Sequence, residues 1–442
     1  MGRYEAYKDS GVEWIGEIPA SWGVNRIKDN YKIIAGATPK SGVSEYWDGD
    51  IPWVTPADYS DAQHYVSGGS HSITELGLNS CGTSLVPKNS VIVSNRAPIG
   101  LVSIASQPLC TNQGCKAIVP LNESISPEYL YWYLSYQAEN LNSLGRGTTF
   151  LELSTQALGT FQCPQPLMSE QRAIANYLDS KTNEVDALVA DCEREVDLLQ
   201  EYRKAVISEA VTKGLGSDVP MKDSGVEWIG KIPESWHAAP LKHMVASIES
   251  GTSLDGANWP ASDDEKGVLT LSSVYQSRFD ASCNKAVSPE LYERLSCPLK
   301  NGTLLISRCN TSEWVGTAAY VHDAPDNLFL PDKLWQLSFT SDFVCRYIQY
   351  ALQANVARNY FAALSVGASS TMQNIAKPDL LAAPIAIPDE DEITAVVDYL
   401  DTKTAETDAL IQAKQSMVDK LREYRRSLIS EAVTGKFKVP GI

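Results

Sequence analysis

Two long stretches of this chain carry a helical hydrophobic pattern. Residues 170–213 contain neither Pro nor Gly, and Val185, Leu188, Cys192, Leu199 and Val206 recur at intervals of three, four and seven. Val189 and Val196 lie beside that stripe, and Asp191, Glu193, Arg194, Asp197 and Lys204 fill the other faces. This spacing predicts an amphipathic helix with a heptad-like seam. Pro164 and Pro166 precede it and Gly214 follows it, which suits the two ends of a helix. A second such helix is predicted from Asp389, with Glu392 three residues on as a capping box, to about Thr434, before Gly435. At 1.5 Å per residue each helix is ~66 Å long. Neither can bury its stripe alone, so the pair is expected to pack as an antiparallel coiled coil. The stretches before them read differently. Short β-rich runs (51–55, 90–94, 117–119) alternate with Gly, Pro, Asn and Ser turns, which predicts mixed α/β structure. Helical segments follow at 127–136 and 343–352. Tyr129, Leu130, Tyr133 and Leu134 fall on one face, which points to core packing, not base stacking.

The two helical stretches belong to a duplication. Residues 8–22 (KDSGVEWIGEIPASW) and 222–236 (KDSGVEWIGKIPESW) agree at thirteen of fifteen positions. At an offset of 222, residues 177–188 match 399–410 and residues 201–212 match 423–434, each at nine of twelve. Chance does not produce this, so the chain is two tandem copies of one unit. The intervening inserts, 23–167 and 237–388, share only a faint similarity, VIVSNRAPIG against LLISRCNTSEWVG. The second long block is not followed by another KDSGVEWIG motif. The copy at 8–22 is free to take that place, which predicts a circular, pseudo-two-fold arrangement. The expected segments are 1–22 (completing the second conserved region), 23–167 (first insert domain), 168–214 (central helix), 215–236 (repeat motif and linker), 237–388 (second insert domain) and 389–442 (final helix and tail). The fold class is α+β: two mixed α/β domains joined by two long helices.

Composition narrows the chemistry. A 43 % hydrophobic, 21 % charged chain is ordinary globular material. Residues 1–10 are polar, so no secretory leader is expected, and no apolar run reaches membrane-spanning length. Nine Cys without a CxxC pair suit a reducing cytoplasm, which is the expected location. There is no GxxxxGK[ST], no GxGxxG, no Asn/Asp-Pro-Pro-aromatic tetrapeptide and no HExxH. Cys110 and Cys115 lack a second pair to complete a metal site. Asp379, Asp401 and Lys403 copy a nuclease spacing, but the last two fall in a predicted helix, so the match is coincidental. No catalytic residue and no metal site are expected. The net charge of −17 argues against a nucleic-acid binder on its face. The acid is spread, however. Residues 23–160 carry 8 basic against 11 acidic side chains and residues 237–388 carry 11 against 14, so both inserts have the same mild net of −3.

KDSGVEWIGxIPxSW, the EQRAIANYLD start at Glu170 and EYRxxxISEAVT together resemble the specificity subunit of type I restriction–modification systems, over essentially the whole chain. PEYLYWYL and SNRAPIG resemble parts of its target-recognition domains. The second insert departs from the pattern, with DEDEITAV in place of SEQRAI and RCNTSEWVG in place of RAPIG. The resemblance implies a non-catalytic subunit whose two divergent domains each read half of a bipartite, asymmetric double-stranded DNA site. It implies that the helices set the spacer and dock two methyltransferase subunits, with restriction subunits added for cleavage. S-adenosylmethionine would be bound by the methyltransferase for adenine methylation, and ATP and Mg2+ by the restriction subunit. This chain would hold no cofactor and meet no membrane. Polar residues in broken segments are the candidate DNA contacts. In the first insert these are Thr38, Lys40, Ser41, Asn95, Arg96, Arg146, Thr148 and Thr149. In the second they are Arg308, Asn310, Thr311, Ser312, Ser369, Ser370 and Thr371. Arg to guanine and Asn to adenine is the expected pairing chemistry. Repeated polar positions near the helix ends are the candidate partner contacts: Glu201, Tyr202, Arg203, Ile207 and Glu209, with Glu423, Tyr424, Arg425, Ile429 and Glu431. A coiled-coil scaffold presenting two protein-binding modules is the alternative these features allow.

Overall fold

The computed structural model describes residues 2–60, 63–122, 125–147, 151–311, 314–369 and 372–442, with only the backbone for 276, 366–369 and 372. The chain forms two compact units. The first is 2–192 with 416–442, and the second is 193–415. Each therefore contains one insert, the first half of one long helix and the second half of the other.

Four strands organise the first insert: β1 (Tyr31–Ala35), β2 (Val91–Ser94), β3 (Val102–Ala105) and β4 (Cys115–Pro120). Their order is β1-β4-β2-β3, antiparallel throughout, with Tyr65–Val66 added parallel at the far edge. The second insert repeats this order with β5 (Val245–Ser250), β6 (Thr303–Ser307), β7 (Ala318–Val321) and β8 (Leu334–Phe339), as β5-β8-β6-β7. β2, β3 and β6 are buried along their whole length, Ser94, Ser103, Thr303 and Ser307 included. A helix packs on each sheet: α1 (Pro127–Tyr136) in the first unit and α3 (Asp342–Gln353) in the second. Ser126 and Ser341 cap them by accepting from Tyr129 N and Val344 N. Tyr129, Tyr131, Trp132 and Tyr133 of α1 are buried, in line with core packing, while Tyr136 at its end is exposed.

The two long helices are α2 (Met168–Lys213) and α4 (Glu390–Val433). In the first unit, Ile174, Ala175 and Leu178 from the start of α2 share a core with Leu428, Ile429, Ala432 and Val433 from the end of α4. In the second unit the repeat mates Val396, Val397 and Leu400 share one with Ile207, Ala210 and Val211. Start meets end in both units, so the helices run antiparallel. Arg425 Nε donates to Asp186 Oδ1 at 2.8 Å in the first unit, and Arg203 Nε donates to Asp408 Oδ1 at 2.9 Å in the second, the same pair repeated.

The seam is narrower than the sequence suggests. Val185 and Cys192 are buried, but Leu188 is 47 % exposed and its mate Leu410 53 %. A two-helix pair covers only the central stripe, and flanking apolar positions stay in water. Thr182 and Thr404 occupy buried seam positions instead. The capping box is half realised. Asp389 Oδ1 accepts from Glu392 N at 2.9 Å, while Glu392 Oε2 accepts from Trp236 Nε1 at 2.6 Å.

The repeated KDSGVEWIG segments are short antiparallel hairpins, Tyr7–Asp9 with Glu17–Pro19 and Met221–Asp223 with Lys231–Pro233. The second follows α2 and seats Trp236 against Gly214. The first closes on the end of α4, more than four hundred residues away along the chain. Val12, Ile15, Ile18 and Trp22 join a core with Val433, Phe437 and Val439, and Tyr7 Oη donates to the Lys436 carbonyl at 3.0 Å. The arrangement is circular, since the first hairpin takes at the end of α4 the place that the second takes at the end of α2.

Candidate nucleic-acid interface

Both sheets present one end at which several loops converge. In the first insert β1 and β2 finish where β4 begins. Ala37 N donates to Thr111 O at 3.0 Å and Asn95 N to Gly114 O at 2.9 Å, so the loop 111–114 links the two exits. Gly36 is required there, because a Cβ would overlap the carbonyl oxygens of Thr111 and Asn112. Beyond it Thr38, Lys40 and Ser41 are exposed, and Thr38 Oγ1 donates to Gln113 Oε1. Gln113 is an exposed amide at the centre of this end that no sequence pattern marked.

A distant segment joins the same end. Arg146 and Arg96 each form a backbone bridge with Glu152, and Leu153 N donates to Asn95 O at 2.9 Å. The Glu152 carboxylate accepts from Asn95 Nδ2 at 3.2 Å and from Arg96 Nη2 at 3.1 Å. The structure thus gathers Asn95, Arg96 and Arg146 around one acid the sequence reading missed. Arg96 and Arg146 are exposed. Asn95 is fully buried with Oδ1 unpartnered, so it orders the loop instead of projecting from it. Lys116 is also buried nearby, and burial pushes its ammonium below the ordinary lysine range against the opposing pull of Glu152. Thr148 and Thr149 lie outside the described residues.

The second insert builds the same end with other residues. Arg308 occupies the backbone position of Asn95: its N donates to Lys333 O at 3.1 Å and its carbonyl accepts from Ile375 N at 3.0 Å. Its half-buried guanidinium lies over the Trp335 ring at 6.0 Å. Cys309 and Asn310 pair with Asn374 and Gln373, so the returning segment again reaches this end, with Ser369 in the adjoining strand. Asn310 is buried with Nδ2 unpartnered, and the half-buried Thr311 has its Oγ1 unpartnered. Gly251, packed on the Leu330 carbonyl, is the counterpart of Gly36. It places Thr252 and Ser253 as equivalents of the 38–41 loop that the sequence reading did not name. Ser312, Ser370 and Thr371 lie outside the described residues.

The helix-end candidates divide. Arg203 and Arg425 are committed to Asp408 and Asp186, and Ile207 and Ile429 are buried, so these four serve the helix pair itself. The physical reason is that a mid-helix Arg three to four residues from the seam reaches across to the mate. Glu201, Tyr202, Glu209, Glu423, Tyr424 and Glu431 are exposed. Asp401 and Lys403, the nuclease-like pair, are occupied by Arg346 and Glu406. Burial pushes the thiols of Cys110 and Cys115 up to about 11 and about 12, which disfavours the thiolate a metal needs. Among the described residues no group of three or more His, Cys, Asp or Glu is arranged to hold a metal, and no helix is long and apolar enough to cross a membrane.

Residues 19–195 match the family model described as the type I restriction modification DNA specificity domain. The MjaIX specificity subunit of Methanocaldococcus jannaschii is 34 % identical over 245 residues, 54 % of this chain and 54 % of the relative. With the EcoR124I/EcoR124II specificity subunit of Escherichia coli the match covers 50 % of the relative, so this chain spans about half the length of both. The EcoKI specificity subunit of Escherichia coli K12 is 24 % identical over 95 % of this chain and 90 % of its own length. Among solved structures, a chain described under complex assembly and conformational transition of the type I R-M system superposes with a TM-score of 0.71, at 15 % identity over 95 % of this chain and 99 % of that one. The HsdS subunit from Thermoanaerobacter tengcongensis gives 0.54 at 16 % identity, over 95 % and 98 %. These two likenesses concern the fold. A frame duplicated at both helix ends, two inserts of one sheet order and the match of residues 19–195 to the specificity-domain model agree: this chain is similar to type I restriction–modification specificity subunits.

Proposed function

We propose that this chain is the sequence-reading, non-catalytic subunit of a type I restriction–modification complex. Each insert is a reader of one half of a bipartite, asymmetric DNA site. The observation that carries this reading is the pair of loop ends built on one sheet order with different side chains. Thr38, Lys40, Ser41, Gln113, Arg96 and Arg146 stand in one, and Thr252, Ser253, Arg308 and Thr311 in the other. Identical ends would read a palindrome; unlike ends read two different half-sites. The neutralised Arg96 and the net acid of both readers keep sequence-independent phosphate affinity low, so backbone charge must come from partner subunits. Two methyltransferase subunits dock on the exposed helix faces around Tyr202 and Tyr424 and supply S-adenosylmethionine chemistry on adenine. Restriction subunits bring ATP and Mg2+.

The test is methylation of a random-sequence DNA library by the chain with its methyltransferase partner, read by sequencing modified adenines. One asymmetric motif with an unread spacer is expected, and no methylation by the chain alone. A palindromic motif would overturn the two-reader reading. Absence of any DNA binding by the assembled complex would favour a protein-binding scaffold.

A further inference from the structure

The readers differ in sequence, yet each is fastened to the helix pair at the same two places. Tyr129 and Trp132 stand three residues apart on α1 and so share a face. Tyr129 Oη donates to the Val433 carbonyl at the end of α4, at 2.8 Å. Trp132 Nε1 donates to Asp179 Oδ1 near the start of α2, at 2.8 Å. In the second unit Tyr347 and Tyr350 are again three apart on α3. Tyr347 Oη lies 3.3 Å from the Val211 carbonyl at the end of α2, although its nearer acceptor is the Ala386 carbonyl at 2.6 Å, and Tyr350 Oη donates to Asp401 Oδ1 at 2.8 Å. Val211 and Val433 are repeat mates, as are Asp179 and Asp401.

Each carboxylate also faces a nitrogen of a basic side chain, and here the readers diverge. Asp401 Oδ2 accepts from Arg346. In the first reader the helix position of Arg346 is Glu128, which instead accepts from Ser126 Oγ at 2.6 Å. The second nitrogen toward Asp179 comes from elsewhere in the insert: His64 Nδ1 at 3.4 Å, its ring against Tyr131 and Trp132 at 4.4 and 4.7 Å. One frame carboxylate is thus met by unlike chemistry from unlike readers.

Apolar contact already binds α1 and α3 to the long helices, but it is non-directional. A hydrogen bond to a fixed carboxylate is directional, and base-edge reading tolerates only small errors of angle and distance. We propose that Asp179 and Asp401 are positioning residues. Each is a fixed acceptor against which a reader sets its orientation, so a reader of any specificity can be mounted here if its helix presents Tyr-x-x-donor. This rests on the reading above.

The experiment uses the assembled methyltransferase complex on the random library, together with hydrogen–deuterium exchange of the full chain. D179A and W132F should keep both half-site sequences but accept spacers one base pair shorter or longer than wild type. Exchange in residues 127–136 should rise roughly tenfold, as loss of a hydrogen bond to a charged group implies. D179N retains an acceptor oxygen for Trp132 and should restore both readouts. Y350F should loosen the second reader in the same way, with exchange rising in 342–353. Unchanged spacer selectivity and exchange in both D179A and W132F would overturn the proposal. So would loss of one half-site sequence in a folded W132F, since that marks a direct reading role. If wild type itself yields no bipartite motif, the functional reading fails, and the exchange measurement still decides whether Asp179 holds α1.

Discussion

Gly214 and Gly435 end the two long helices in left-handed backbone, with φ of +75° and +72°. Their surroundings differ. A Cβ on Gly435 would meet Pro19 Cδ at 2.5 Å and Trp22 Cη2 at 2.9 Å, whereas one on Gly214 meets Trp236 Cζ2 at 3.3 Å. G214A should therefore cost about 1 kcal/mol from the backbone alone. G435A should cost at least about twice that, because the tight neighbours must also move. Denaturant unfolding of the two variants measures the difference. His64 makes a second residue-scale prediction. Burial holds its imidazolium below the ordinary histidine range, Asp179 and Asp186 oppose this, and Arg425 adds to it. The folded state then binds fewer protons than the unfolded one below the unfolded value of ~6.5. Its contribution to stability is present above that pH and is lost as pH falls through the folded value. The thermal midpoint of the first unit should drop between pH 7 and pH 5.5 more steeply in wild type than in H64Q.

Much of the element scale was legible in the sequence. α2 and α4 showed themselves because amphipathic periodicity and a Pro-free run survive in any context. The seam was less legible: Leu188 and Thr182 have the wrong polarity for their places, since a two-helix pair is too thin to sort every apolar residue inward. The sheets could be read only in pieces. Buried strands lose the alternation that marks a half-exposed strand, and the pairing of residue 96 with 152 depends on a loop closure no local pattern encodes. For the same reason Glu152 and Gln113 escaped notice, while Asn95 looked like a contact because polarity alone does not reveal burial. A prediction belongs here too. Inserting one heptad into both long helices keeps the stripe in register and adds ~10 Å, equivalent to ~3 bp. If helix length sets the spacer, the methylated motif of that variant should keep both half-sites and gain about three unread base pairs. An unchanged spacer would assign that role to the partners.

At the scale of the whole molecule, the two inserts are modules on a repeated frame. The frame offers the same carboxylate, the same carbonyl and the same apolar patch twice. Replacing residues 23–167 by another reader that carries Tyr-x-x-donor should change one half of the methylated motif and leave the other intact. The same modification mapping reports it. The closure of the first hairpin on the far end of α4 bears on how the chain is made. The core of the first unit contains Val12 and Trp22 but also Val433, Phe437 and Val439, and its Tyr129 bonds a carbonyl 304 residues away. The main core of the second unit is drawn from residues within 193–415. On the ribosome the first insert is therefore synthesised first and completed last, and contacts of such long range are slow to form. Nascent chains stalled so that residue 415 has just cleared the exit tunnel should hold a protease-resistant second unit and a first unit still open to cleavage, and the first should close only when residues 428–439 have also left the tunnel.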